Sequence, residues 1–290
     1  HDGIHYYKEC EKEEAIQGAD LIVCGVSSFG VDWFADKILP ILDESVPVIS
    51  VTKGMLDYED GTMQTYPEYW MSKLPEGSKQ EIYAIGGPCT ARDLADHDPS
   101  FVGYCGPKME TLHWIRSLFA TDYYVISLTL DVVGLECAVA LKNGYALGTA
   151  LAIGMAEKAG DDGINHNNSE AALFQESVKE MLDLLKIVGG GVDNIMYAAG
   201  DLNVTVAAGR SRTVGLLLGK GLSIDEVMEQ LKGQTLEAVV IATRTARAVK
   251  ALAKAGKVKE SDFPLLMHVN ALLNEGATLN IPWTDFQKEM

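Results

Sequence analysis

The chain has 290 residues, of which 47% are hydrophobic and 22% are charged, and its 41 acidic and 24 basic side chains give a formal net charge of −17. This composition is typical of a globular protein with a substantial core, and the acidic balance repels nucleic-acid phosphates and anionic membrane surfaces. We therefore expect no nucleic-acid partner. The five scattered cysteines contain no CxxC pair, which indicates neither a metal site nor a disulfide framework and favours a reducing, cytoplasmic compartment.

Short apolar runs alternate with helix-like stretches in the first part of the chain. The runs are rich in β-branched and aromatic residues and end at Gly, Ser or Lys, which is typical of buried strands. Strands are predicted at 19–26, 46–54, 82–87, 101–106 and 122–127, with helices at 30–43 and 107–119. This alternation predicts an α/β domain over residues 1–130, built on a parallel sheet covered by helices.

Helical patterns replace the strand signals after residue 130. Helices are predicted at 131–158, 169–191, 235–255 and 262–276. Ser223 and Glu226 have the spacing of a capping box, which marks a further helix start. Residues 131–290 are therefore predicted to form an all-α domain.

One lysine, Lys142, lies inside the small and apolar run from 137 to 156. A membrane span has about this length, but a central lysine opposes insertion and amphipathic helices follow. A second interpretation is a central helix of a helical domain with the lysine reaching outward to water. A third is catalytic, because burial lowers the pKa of a lysine towards the range in which it exchanges protons at neutral pH.

Two further stretches favour a catalytic role. Lys53 directly follows a predicted buried strand, at the strand end where open α/β sheets bind ligands, although such a lysine is often only a solvated end signal. The stretch 198–215 places Arg210 and Arg212 beside Gly209, ahead of a helical run. It is either a polar loop between helices or a phosphate site made of guanidinium and backbone donors.

Several motifs together carry a resemblance to a known family. They are VTKG (51–54), GGPCTA (86–91), DVVGLECAVALKN (131–143), GDLNVTVAAGRSR (200–212) and GQTLE (233–237). In this order and approximate spacing the chain resembles the NAD(P)-dependent glycerol-3-phosphate dehydrogenases. The resemblance implies a Rossmann-type domain for NAD or NADP, a helical domain for a small phosphorylated substrate, and reduction of dihydroxyacetone phosphate to glycerol 3-phosphate for phospholipid synthesis. A homodimer without a membrane span is expected.

The same resemblance implies roles for individual residues. Lys142 would transfer the proton and Lys53 would assist at the reacting oxygen. Asp201 and Thr205 would orient that lysine and the substrate. Substrate contacts are expected from Arg210, Ser211 and Asn143, and cofactor contacts from Phe29, Ala91, Arg210, Gln234 and Glu237. The chemistry agrees, because reduction of a ketone develops negative charge on oxygen that an ammonium group stabilises and then protonates.

The chain departs from the family pattern at three places. No GxGxxG turn precedes residue 19 and the sequence starts at His1, so we expect a truncated nucleotide-binding domain, and both NAD and NADP stay open as cofactors. Ser211 stands where the family usually has Asn, and Gly144 and Tyr145 replace an apolar pair. These changes leave open a related phosphorylated or β-hydroxy substrate, or a non-catalytic phosphate-binding paralogue.

Overall fold

A computed structural model of the chain describes residues 3–160 and 167–287. The five predicted strands form one sheet in the order β1-β2-β5-β6-β7. Their bounds are β1 Ile22–Cys24, β2 Val48–Ser50, β5 Ile82–Gly86, β6 Ser100–Cys105 and β7 Tyr124–Thr129. The helices of this part are α1 Lys12–Ile16, α2 Val31–Lys37, α3 Tyr66–Lys73, α4 Ala91–Ala95 and α5 Met109–Phe119. The predicted α/β architecture is confirmed.

The sheet differs from the prediction in one strand direction. β1, β2 and β5 are parallel, but β6 runs antiparallel to β5, and β7 is parallel to β6. A parallel crossover must return the chain along the whole length of a strand. The connection between β5 and β6 holds only the five-residue α4, which is about 8 Å long against about 17 Å for a five-residue strand. The chain therefore enters β6 at the edge of the sheet where β5 ends, and the two strands run antiparallel.

A small hairpin was not predicted. β3 Met55–Asp57 and β4 Met63–Thr65 pair antiparallel directly after the loop that carries Lys53. Met55 and Met63 are buried in the hydrophobic core of the helical part. The hairpin therefore ties the Lys53 loop to the helices.

The rest of the described chain is helical. It comprises α6 Val132–Lys158, α7 Asn167–Ile187, α8 Ile195–Ala207, α9 Arg210–Gly219, α10 Ile224–Gln230, α11 Glu237–Lys254 and α12 Pro264–Asn274. The capping box is confirmed, because the Ser223 hydroxyl accepts the Glu226 N–H and the Glu226 carboxylate accepts from Ser223. One interpretation of the stretch 198–215 was a loop, but most of it belongs to α8 and α9. The two helices are separated at Ala208 and Gly209, and Gly209 has a φ of 114°.

Helix α6 is the centre of the helical part and is buried almost continuously from Gly134 to Ala152. Close approach of its neighbours depends on glycines. A Cβ on Gly215 of α9 would lie 2.2 Å from the Leu147 carbonyl oxygen, and one on Gly144 would lie 3.2 Å from the Ala242 Cα of α11. Across the described ranges, no helix has both the length and the apolar character needed to cross a membrane.

Candidate active site

The loop after β2 holds Lys53 in a defined position. The Thr52 hydroxyl donates to the Val26 carbonyl over 2.7 Å, and the Thr52 N–H donates to the Ser50 hydroxyl over 3.0 Å. Gly54 follows with a φ of 150°, and a Cβ there would lie 2.5 Å from the Tyr66 hydroxyl. A side chain at this position would therefore displace the loop. These contacts hold the loop so that the Lys53 side chain extends to Asp201 in the helical part.

One carboxylate joins the two predicted lysines. Asp201, on α8 and 2% exposed, lies with one oxygen 2.5 Å from Lys53 Nζ and the other 3.0 Å from Lys142 Nζ. Lys53 also donates to the Gly87 carbonyl oxygen, in the loop after β5, over 3.3 Å. Residues distant in sequence thus form a continuous hydrogen-bonded group, which we call the lysine–aspartate group (Lys53, Asp201 and Lys142).

Thr205 fixes the orientation of Lys142. Its hydroxyl donates to the Asp201 backbone carbonyl one helical turn earlier, over 2.6 Å. Because that bond uses the hydroxyl proton, a lone pair remains to accept from Lys142 Nζ, which lies 2.7 Å away. Thr205 and Asp201 thus take two of the three ammonium donors, and the third is available to a ligand.

Lys142 is 8% exposed, so it does not reach out to water. Burial is the largest influence on its pKa and lowers it from the ordinary value. The Asp201 carboxylate opposes this shift, and the positive charge of Lys53 adds to it. A lysine with a lowered pKa exchanges a proton more readily near neutral pH than a solvated one.

A cavity of about 230 Å³ lies beside Lys142. The predicted site residues Lys142, Asn143, Thr205, Arg210, Ser211 and Glu237 all line it. Arg210 is the first residue of α9, so the free N–H groups of that helix start and a guanidinium face the same space. Such a site can hold a small phosphate-bearing molecule next to an ammonium group. A larger cavity, of about 790 Å³ and lined by residues such as Met155 and Leu279, contains none of the predicted residues.

The residues predicted to contact the cofactor are more dispersed. Phe29, 67% exposed, lies in the loop after β1, and Ala91 begins α4 after β5. Gln234 is exposed and does not line the cavity, whereas Glu237 does. The Ser28 hydroxyl donates to Glu237 over 3.1 Å and connects the Phe29 loop to the cavity.

The arrangement fits a nicotinamide cofactor. The parallel strands β1, β2 and β5 bring their carboxyl ends to one edge of the sheet, which is where open α/β sheets bind nucleotides. Phe29 and Lys53 lie on loops from this edge, and Asp201 of α8 joins Lys53 to Lys142 of α6. The site also contains three groups that were not predicted, namely Ser28, Thr235 and the Gly87 carbonyl. Their side chains or backbone atoms carry no distinctive sequence signal.

Two departures from the family pattern lie away from the cavity. The Tyr145 hydroxyl donates to Glu180 of α7 over 2.9 Å, inside the helical core. Gly144 contacts α11, as described above. Ser211 alone of the three changed residues lines the cavity, where it is buried.

Comparison with known proteins agrees with this geometry. The family model described as the NAD-dependent glycerol-3-phosphate dehydrogenase N-terminus matches residues 3–110, and the one for the C-terminus of the same family matches residues 131–282. The chain belongs to this family. An NADP(+)-dependent glycerol-3-phosphate dehydrogenase from Archaeoglobus fulgidus is 29% identical over 277 residues, which is 95% of this chain and 80% of that protein.

Solved structures of this family share the fold. The glycerol-3-phosphate dehydrogenase of Saccharomyces cerevisiae superposes with a TM-score of 0.76 at 21% identity, covering 94% of this chain and 76% of that one. The Coxiella burnetii enzyme gives 0.75 at 23% identity, covering 94% and 78%. The predicted combination of a Rossmann-type domain and a helical domain is confirmed, whereas the division at residue 130 stays a prediction.

Proposed function

We propose that this protein interconverts dihydroxyacetone phosphate and glycerol 3-phosphate with NAD or NADP, and so supplies a precursor of glycerophospholipids. The observation that carries the proposal is the buried Lys142 ammonium, held by Asp201 and Thr205 at the edge of a cavity that Arg210 also lines. The names of the related enzymes support the substrate and the cofactor class.

Each side chain then has a defined task. Arg210 and the start of α9 bind the phosphate, and Ser211 and Asn143 contact the substrate beside it. Lys142 stabilises the negative charge that develops on the C2 oxygen and donates its proton to that oxygen. In the reverse direction the neutral amine removes the hydroxyl proton. Lys53 assists at the same oxygen and Asp201 holds both lysines in place.

The nicotinamide cofactor, when bound, supplies or accepts the hydride. Phe29, Ala91, Arg210, Gln234 and Glu237 are the residues that we assign to holding it. Glu237 combines this role with its position on the cavity wall, so the bond between Ser28 and Glu237 links the two ligand sites.

The experiment that tests the proposal is a spectrophotometric assay of dihydroxyacetone phosphate reduction with NADH and with NADPH. We expect turnover by the wild-type chain and a loss of about 10²- to 10⁴-fold in kcat for Lys142→Met, because a general acid contributes that much. Met matches the buried linear side chain and keeps the fold. Lys158→Met, at the far end of α6, is the matched control. Phosphate-substrate binding without turnover in the wild type would instead identify a non-catalytic paralogue.

Ser211 supports a second candidate substrate class. A serine hydroxyl is shorter than an asparagine side chain and lacks its amide group. A related phosphorylated or β-hydroxy compound that fills the added space is therefore the alternative. Faster reduction of such a compound than of dihydroxyacetone phosphate by the wild type would favour it. Ser211→Asn is then expected to shift the preference back towards dihydroxyacetone phosphate.

We also propose that the protein works in the cytoplasm, which its unpaired cysteines support. A homodimer is part of the same proposal. Light scattering coupled to size-exclusion chromatography measures the assembled mass, and a monomer at working concentration would contradict it.

A further inference from the structure

Helix α11 is bonded to the chain just after Lys53. Arg244, near the middle of α11, donates from Nη1 to the Met55 backbone carbonyl oxygen over 2.7 Å. Met55 begins β3, two residues after Lys53. A hydrogen bond from a guanidinium group is charge-assisted and is stronger than one between neutral groups. The helical part therefore holds the Lys53 loop by its backbone.

Gly54 explains why the loop needs this bond. On one side of Lys53, Thr52 is bound to the sheet, as described above. On the other side only Gly54 separates the lysine from Met55, and glycine restricts the backbone less than any other residue. The bond from Arg244 to Met55 therefore fixes the side of the loop that the contacts of Thr52 do not reach.

A second arginine of α11 contacts the same hairpin farther from Lys53. Arg247 donates to both carboxylate oxygens of Asp57, over 2.6 and 2.7 Å, but 64% of its side chain is exposed. Exposed ion pairs contribute little, because water and salt screen them. Arg244 is 28% exposed, and its Nε lies 3.8 Å from the same carboxylate, which keeps the guanidinium group beside β3. The contact of Arg244 with Met55 is therefore the one expected to restrain the loop.

Helix α11 also reaches the cavity beside Lys142. Its first residue, Glu237, lines the cavity and accepts the Ser28 hydroxyl. Arg244 follows seven residues later, about two helical turns, so both side chains lie on the side of α11 that faces the loops of the sheet. Arg244 itself does not line the cavity. Its influence on a substrate held there is therefore indirect.

We propose that Arg244 is a positioning residue that holds the Lys53 ammonium group at Asp201 by fixing the Met55 carbonyl. The inference rests on the proposed function, because Lys53 is the residue assigned there to assist at the reacting oxygen. Lys53 Nζ lies 2.5 Å from Asp201 and 3.3 Å from the Gly87 carbonyl oxygen. Both contacts are short, so a small movement of the loop breaks them. A misplacement of about 1 Å can cost about 100-fold in rate.

Chemical labelling of lysine amines tests the positioning without any substrate. Acetic anhydride acetylates the amines, and peptide mass spectrometry gives the rate at Lys53 relative to that at Lys108, which pairs with Glu81 away from α11. We expect Arg244→Met to raise this ratio several-fold, because an amine released from a carboxylate loses its proton and reacts more readily. Arg247→Met is the matched control and should leave the ratio unchanged. An unchanged ratio in Arg244→Met, or an equal rise in Arg247→Met, would overturn the assignment to Arg244.

Steady-state kinetics of ketone reduction test the consequence for the reaction. Arg244→Met should lower kcat about 10- to 100-fold and leave the KM for dihydroxyacetone phosphate nearly unchanged, because the phosphate contacts stay intact. Arg247→Met should change neither constant appreciably. Arg244→Lys keeps one donor for the Met55 carbonyl, gives an intermediate kcat and serves if the Met variant does not fold. A rise in KM with an unchanged kcat would contradict the proposal.

The Lys53→Met background shows whether Arg244 acts through this lysine. In that background Arg244→Met should lower kcat little further, because two changes that act through one group are not additive. A further fall as large as that in the wild-type background would refute the route through Lys53 and leave Arg244 a general structural role. A protein with no reductase activity would defeat the proposed function, while the labelling ratio still decides whether Arg244 holds Lys53.

Discussion

Replacing Asp201 by Asn tests how the lysine–aspartate group works. Asparagine keeps the size of the side chain and one acceptor oxygen but removes the charge that lies 3.0 Å from Lys142 Nζ and 2.5 Å from Lys53 Nζ. The buried Lys142 and the partly exposed Lys53 then lie close together without a counter-charge between them. Because Asp201 raises the pKa of Lys142 against burial and Lys53, its loss lowers that pKa further.

The size of the shift follows from the short distances. An opposite charge this close moves a pKa by about 1–3 units, which corresponds to about 1.4–4 kcal/mol. Direct Coulomb attraction at 3.0 Å amounts to about 5.5 kcal/mol at an effective dielectric constant of 20 and sets the upper limit. We therefore expect the Lys142 pKa to fall by about 1–3 units in Asp201→Asn.

The assay is the pH dependence of kcat/KM in both directions. Reduction requires the ammonium form, so its alkaline midpoint moves to lower pH. Oxidation requires the neutral amine, so its acidic midpoint moves down by the same amount, since both report one lysine. Asp57→Asn is the matched control, because Asp57 also lies between two cations, 2.6 Å from Arg247 and 3.8 Å from Arg244, away from the cavity. If neither midpoint shifts, or if only the reduction midpoint or only the oxidation midpoint shifts, the assignment of the titrating group to Lys142 is refuted.

Three other substitutions separate binding, packing and charge. Arg210→Ala should raise the KM for dihydroxyacetone phosphate about 10- to 150-fold, the value of a lost charged hydrogen bond, with little change in kcat; an equal fall in kcat would contradict a role in ligand binding alone. Tyr145→Phe should lower the free energy of unfolding by about 1 kcal/mol in urea and leave KM unchanged, because its hydroxyl binds Glu180. The free energy of unfolding of Glu136→Gln, relative to the wild type, should rise by about 1.4 kcal/mol per pH unit between pH 5 and pH 8. The reason is that burial raises the pKa of the wild-type acid to about 8, so the folded wild type loses stability as the pH rises through this window. An equal difference between the two urea midpoints at pH 5 and at pH 8 would contradict this.

The regular elements were predictable because their signals are local. The predicted helix at 131–158 and the observed α6 differ by one residue, since Asp131 caps its start and accepts the Gly134 N–H over 2.8 Å. The strands β3 (MLD) and β4 (MQT) have three residues each and one β-branched residue between them, so they lack the β-branched signal that made the equally short β1 and β2 predictable. The direction of β6 depends on how far the connection after β5 reaches, which hydrophobic patterning does not report.

The site was predictable in its residues but not in its connections. The motifs identify Lys53, Lys142 and Asp201 as candidates, yet nothing in the sequence indicates that one carboxylate takes both lysines. Glu136 of α6 is 1% exposed, and its burial was equally hidden, because a glutamate within a helix is ordinarily a solvated charge.

The electrostatics of the site explain why an acidic protein can hold a phosphorylated substrate. The chain carries a net charge of −17, but the lysine–aspartate group has two cations for one anion, and Arg210 adds a third cation on the cavity wall. Omitting Asp201 would increase the local positive charge, yet burial and the Lys53 charge would then lower the pKa of Lys142 further and favour its neutral amine. Asp201 therefore favours the ammonium form of Lys142 while leaving a net positive site. Because its partners come from the loop after β2 and from α6, the charge is complete only when the sheet and the helices are packed together.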